Sequence, residues 1–123
     1  MAAVAWWYVS AFGWKPVGGP NDEFGAQFRF VGCDDWPADL PYGSTVDTEA
    51  TGSVVVYYVT DPAACGYSVR RPTYKLAGNE LELSYELFTP SGELAACICR
   101  YRSEFRFPID PKAAVVTFSS SGG

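Results

Sequence analysis

The sequence predicts an all-β domain, an antiparallel sandwich of about seven strands in two sheets, with a small open β-barrel as the other way to close the same strands. Three observations lead there. Aromatic residues make up 16% of the 123 residues, and aromatic and β-branched side chains suit a pleated, half-buried surface. Two long segments alternate strictly between apolar and charged residues. No window of helical length carries apolar residues at a 3.6-residue spacing between caps. The length suits one domain spanning 1–123 with a core of its own.

The first strand is expected at 3–12, an apolar segment with Trp6 and Tyr8, or Trp7 and Val9, on one face. It lacks a basic start and a small-residue cleavage site, so it reads as a strand and not as a secretion signal. A Gly- and Pro-rich turn from Lys15 to Asp22 leads to a strand at 26–33 bearing Phe28 and Phe30. The polar stretch from Asp34 to Gly52, with Pro37, Pro41 and Gly43, reads as a long loop. In strand 53–60 the run Val54 to Val59 is apolar on both faces, which fits a central strand or a contact surface. Strands at 66–76, 79–88, 93–107 and 113–120 follow. Asp61-Pro62, Gly78-Asn79, Pro90-Ser91-Gly92 and Asp110-Pro111 mark the breaks between them.

Strand 79–88 places Leu81, Leu83, Tyr85 and Leu87 on one face and Glu80, Glu82 and Glu86 on the other. Strand 93–107 does the same with Cys97, Cys99, Tyr101, Phe105 and Phe107 against Arg100, Arg102, Glu104 and Arg106. A hairpin through Thr89 to Glu93 would set Leu83 opposite Cys99, Tyr85 opposite Cys97, Leu81 opposite Tyr101, Glu82 opposite Arg100 and Glu80 opposite Arg102. A slip of one residue would exchange the faces, so this register is favoured. A two-residue turn at Gly78-Asn79 pairs Leu76 with Leu81, Tyr74 with Leu83, Lys75 with Glu82 and Arg71 with Glu86. Pro72 gives no ladder proton, so its strand is expected to be an edge or to bulge there.

The four cysteines are Cys33, Cys65, Cys97 and Cys99. An even count in a small β-chain without histidine predicts two disulfides and an oxidising compartment. Cys97 and Cys99 stand two apart on one strand and point to one side. Bonding them to each other would strain an extended strand, so each is expected to bond to Cys33 or Cys65, in either of two pairings. Four reduced, packed thiols and a thiolate metal site are the alternatives; the C-x-C spacing within a strand differs from the C-x2-C turns of zinc sites.

The stretch Asn79-Glu80-Leu81-Glu82-Leu83-Ser84-Tyr85, the strand Cys97-Ile98-Cys99-Arg100-Tyr101 and the trio Phe105-Arg106-Phe107 resemble the C-terminal part of small bacterial lipoprotein-like domains of unknown function. The resemblance covers about a quarter of the chain. It implies an exported β-domain and no activity, and this sequence lacks the lipobox cysteine of a lipoprotein.

Composition excludes whole classes of function. The net charge of −5 and the pI near 4.5 disfavour nucleic acid and anionic membrane surfaces as partners. No apolar run reaches the ~18 residues of a membrane span. There is no histidine, which rules out a Ser-His-Asp triad and any imidazole-based metal site. Asp34, Asp35, Asp39, Asp47 and Glu49 match no calcium-loop spacing and read as a solvated loop. Glu80, Glu82 and Glu86 read as a charge ladder and not as a glycosidase pair. No cofactor, catalytic residue or metal ligand is expected. Trp14, Trp36 and Tyr42 sit among Gly and Pro and are the candidate binding-surface aromatics.

The expectation from sequence is therefore a non-enzymatic, extracytoplasmic β-sandwich (periplasmic, cell-surface or secreted) with a binding or structural role and a protein or carbohydrate partner. The alternative is a self-associating subunit of a larger assembly, such as a virion or fibre component, made in the cytoplasm with reduced cysteines.

Overall fold

Strands form where apolar residues recur every second position, and the outcome is two layers with one core between them. The structure is a computed structural model that describes residues 13–18, 22–93 and 96–122. Its strands are β1 (Lys15–Pro16), β2 (Gln27–Asp35), β3 (Thr45–Thr51), β4 (Val54–Ala64), β5 (Ser68–Ala77), β6 (Glu80–Phe88), β7 (Ile98–Phe107) and β8 (Val115–Ser121). One sheet has the order β1-β2-β7-β4-β3 and is antiparallel throughout; the other has the order β5-β6-β8. The sandwich expected from sequence is thus present, and no helix occurs among the described residues. The expected strand at 3–12 lies outside the described residues.

The core is aromatic. Phe105 and Phe107 from β7, Tyr57 from β4 and Phe28 from β2 meet Leu81, Leu83 and Tyr85 from β6. Phe28 packs edge-on against Phe105 at 4.9 Å within its own sheet and against Tyr85 at 6.2 Å across the sandwich. Such edge-to-face pairs add about 0.5–1.5 kcal/mol beyond the area they bury.

The β5–β6 hairpin follows the expected register at Leu76–Leu81, Tyr74–Leu83 and Lys75–Glu82. Gly78 supplies the positive φ of its turn. Beyond Thr73 the register shifts, so Arg70 and not Arg71 lies opposite Glu86. The cause is a bulge in which Arg71 and Pro72 together oppose Tyr85, with Arg71 in the left-handed region at φ 53. Pro72 therefore sits where its missing N–H costs no ladder bond, on an edge strand and in a bulge. Both arginines still bond to Glu86: Arg70 from Nη2 at 2.7 Å and Arg71 from Nη1 at 3.2 Å. The bonds from Arg70 are the main reason that the Glu86 carboxyl titrates below its ordinary range.

The expected β6–β7 hairpin does not form. Leu83 and Cys99, Tyr85 and Cys97, and Leu81 and Tyr101 belong to different sheets, as do Glu82 and Arg100, and Glu80 and Arg102. The connection between β6 and β7 crosses from one layer to the other. β7 instead enters between β2 and β4, where Asp34 takes both Arg100 (3.6 Å) and Arg102 (2.7 Å). Alternation names the face of a strand but not its neighbour, because any strand with the same period satisfies it.

The segment 34–52 is only partly loop. β2 continues to Asp35, and Thr45–Thr51 forms β3, a solvent-exposed edge strand on β4. β4 lies between β7 and β3; its Val55, Tyr57 and Val59 enter the core, while Val54, Val56 and Tyr58 are half-buried on the outer face. It also runs on through Asp61-Pro62 to Ala64, past the expected break. The β3 ladder ends at Thr45–Thr60, so β4 is an edge at Pro62 and tolerates it.

β8 departs from the antiparallel expectation by running parallel to β6. The chain enters it at the start of β6, where the Asn79 carbonyl accepts from Ala114 N (2.7 Å) and Val115 N (3.2 Å). That anchor sets β8 level with Glu80 and pointing the same way.

Candidate functional site

The two disulfides are Cys33–Cys99 and Cys65–Cys97, with Cα separations of 5.4 Å and 5.5 Å. This selects one of the two pairings left open by the sequence. Neither bridge crosses the sandwich. Cys33 is opposite Tyr101 in the β2–β7 register and bonds diagonally to Cys99. Cys65 N donates to Cys97 O at 2.9 Å, one step beyond the Ala64–Ile98 pair, so the second bridge joins directly opposed residues. β2, β7 and β4 are therefore riveted side by side at one end of the five-stranded sheet.

That end carries the aromatic residues. Trp36 directly follows β2, and its N–H donates to Ile98 O at 3.2 Å. The indole Nε1 donates to Leu40 O at 3.1 Å, closing the loop that brings Tyr42 back to it. The Trp36 and Tyr42 rings are 5.9 Å apart and tilted by 56°. Tyr42 is 69% exposed, Ile98 40% and Leu40 37%. Tyr42, Pro62, Ala64, Tyr67 and Ile98 line a groove of about 430 Å³ beside the bridges.

Under this patch the core turns polar. Asp61 is 4% exposed and Ser103 2%. Ser44 Oγ donates to Asp61 Oδ1 at 2.7 Å, and the Tyr85 hydroxyl donates to Asp61 Oδ2 at 2.8 Å. Tyr101 donates to Ala64 O at 2.6 Å and accepts from Tyr67 N at 3.0 Å. Burial foremost, and then the Asp61 charge and hydrogen bond, push the Tyr85 hydroxyl well above its ordinary value. Burial also raises Tyr101. These bonds tie the groove's floor to both sheets. Ser103 Oγ has no partner among the described residues.

Of the three aromatic residues singled out in the sequence, the structure brings Trp36 and Tyr42 together and sets Trp14 apart. Trp14 lies at the β1 end, under the guanidiniums of Arg29 (4.5 Å) and Arg106 (5.9 Å). Ile98, Leu40 and Asp61 were missed. Ile98, between two inward cysteines, had to face outward, and Asp61 continues the inward series Val55, Tyr57 and Val59, so both carried a signal in the two-residue period. Leu40 carried none. Among the described residues the cysteines are the one group whose donor atoms gather as a soft metal ion would need, once reduced: Sγ atoms of Cys33, Cys65 and Cys99 lie within 4.8 Å of one another.

No family model, curated protein or solved structure matches this chain.

Proposed function

We propose that this chain is an extracytoplasmic, non-enzymatic binding module whose contact surface is the Trp36–Tyr42 patch. The observation that carries the reading is the pairing of those two rings, with Leu40 and Ile98 exposed around them, on a sheet end fixed by two disulfides. Tyr42 is exposed against a half-buried Trp36, and Trp and Tyr are enriched among the anchors of protein interfaces. A base held by covalent bridges loses little freedom on binding, which favours affinity. A protein partner is favoured over a carbohydrate because the indole edge is pinned to Leu40 O and the two rings are tilted, so they offer no shared flat platform. The disulfides support a periplasmic, cell-surface or secreted setting, as does the resemblance to exported lipoprotein-like domains.

The binding reading is preferred to the assembly-subunit alternative because two disulfides are at odds with the reduced cysteines that alternative expects. The buried carboxylate Asp61 is already bonded to Ser44 and Tyr85, which speaks against an acid–base role.

The test is immobilised oxidised protein against an extracytoplasmic protein fraction and a polysaccharide panel. A protein captured by the wild type and by Trp14→Ala, and lost with Trp36→Ala and with Tyr42→Ala, is the expected result. Capture indifferent to Trp36 and Tyr42 would overturn the patch. Saturable polysaccharide binding through the same residues would overturn the choice of a protein partner.

A further inference from the structure

The four cysteines share more than their pairing. The period of two places Cys97 and Cys99 on one side of β7, and the register places Cys33 and Cys65 on the same side of the neighbouring strands. All four side chains thus gather in one small volume at the end of the five-stranded sheet where β2, β7 and β4 are bridged. Sγ of Cys99 lies 2.7 Å from Sγ of Cys65, which is not its bonded partner. The Sγ atoms of Cys33, Cys65 and Cys99 lie within 4.8 Å of one another, and Cys97 Sγ joins them through its bond to Cys65.

A tetrahedral ion with metal–sulfur bonds of about 2.3 Å requires sulfurs about 3.8 Å apart. Once the bridges are reduced, side-chain rotation can spread the 2.7 Å contact between Cys65 and Cys99 toward that value around one ion. The strands need not part, because the ladders on both sides of β7 hold the backbone. Cys99 is buried, whereas Cys33 and Cys97 are exposed, which leaves a path for an ion to enter.

We propose that the reduced protein binds one soft divalent cation, zinc foremost, through Cys33, Cys65, Cys97 and Cys99, and that oxidation to the two disulfides closes the site. Reduction of each disulfide takes two electrons from a phosphine, with one water supplying the two thiol protons and the oxygen of the phosphine oxide. Four S–H protons then pass to solvent as four metal–sulfur bonds form. The metal-bound and disulfide-bonded forms are alternative states of one cluster: a disulfide oxidant takes two electrons for each bridge formed, leaves as its own dithiol, and the ion is released. This inference does not depend on the aromatic patch.

The test uses the full chain, reduced with a phosphine, freed of reductant without oxygen and titrated with Co²⁺. The expected result is the sulfur-to-cobalt charge-transfer and visible bands of a four-thiolate tetrahedral site, saturating at one equivalent and bleached by Zn²⁺. The oxidised protein should take up nothing, and Cys33→Ser should lose the four-thiolate spectrum. Zn²⁺ should also raise the melting temperature of the reduced protein, or restore its β-sheet circular dichroism if reduction unfolds it. Reduced protein that gives no cobalt bands and no response to Zn²⁺, whether folded or unfolded, would overturn the proposal. So would metal uptake unchanged by Cys33→Ser.

Discussion

The Tyr85 hydroxyl crosses the sandwich to Asp61: β6 lies in the three-stranded sheet and β4 in the five-stranded one, and this 2.8 Å bond joins them inside the core. Replacing Tyr85 with Phe keeps the ring but strips the buried carboxylate of one of its two donors. Loss of a bond to a buried partner costs about 1–3 kcal/mol, and equilibrium denaturation should show it. A Tyr85→Phe variant as stable as the wild type would contradict the network.

The same bond sets an alkaline limit. The folded protein holds the Tyr85 hydroxyl above its ordinary value, so the unfolded chain releases that proton first. Stability is full below about pH 10, the unfolded value, and declines as pH rises past it. Tyr57, Tyr74 and Tyr101 are raised as well, burial being the largest cause in each, and they add to the slope. The tyrosinate absorbance of these buried residues should appear together with unfolding. A full tyrosine titration in a protein that stays folded would contradict this.

Leu83 is fully buried and Glu82 beside it is exposed. Leu83→Ala should cost about 2–5 kcal/mol, and Glu82→Ala should leave the denaturation midpoint unchanged. Equal effects of the two would place the wrong face of β6 inward.

The contrast between those neighbours shows what the sequence reveals and what it withholds. Which face of β6 and β7 is buried was legible, since alternation maps directly onto burial. Which strand β7 pairs with was not: its arginines find carboxylates equally well on β6 or at Asp34. β3 was hidden because Thr45–Thr51 is exposed and carries Asp47, Ala50 and Glu49, residues that strands disfavour. The cysteines narrowed to two pairings through the C-x-C geometry, and only the register of β2 and β4 against β7 selected between them. Trp36 and Tyr42 stood out by their Gly- and Pro-rich surroundings. Their separation from Trp14 depended on which ends of the sheet their loops leave, which no local pattern encodes.

The bridges close spans of 66 and 32 residues. Chain-entropy arguments then assign about 4 kcal/mol to each, the longer loop slightly more. Cys33→Ser/Cys99→Ser and Cys65→Ser/Cys97→Ser should each lower the melting temperature, the first by more. A double variant as stable as the wild type would mean that its bridge is absent.

The central claim is that two disulfides rivet β2, β7 and β4 beneath the aromatic patch, and mapping them tests it most directly. The unreduced protein is unfolded, alkylated and digested with thermolysin, which cleaves before Ile98 and so separates Cys97 from Cys99. The account predicts no alkylated thiol, with Cys33 linked to Cys99 and Cys65 linked to Cys97. Thiols that alkylate before any reductant is added, or peptides joining Cys33 to Cys97, would contradict it.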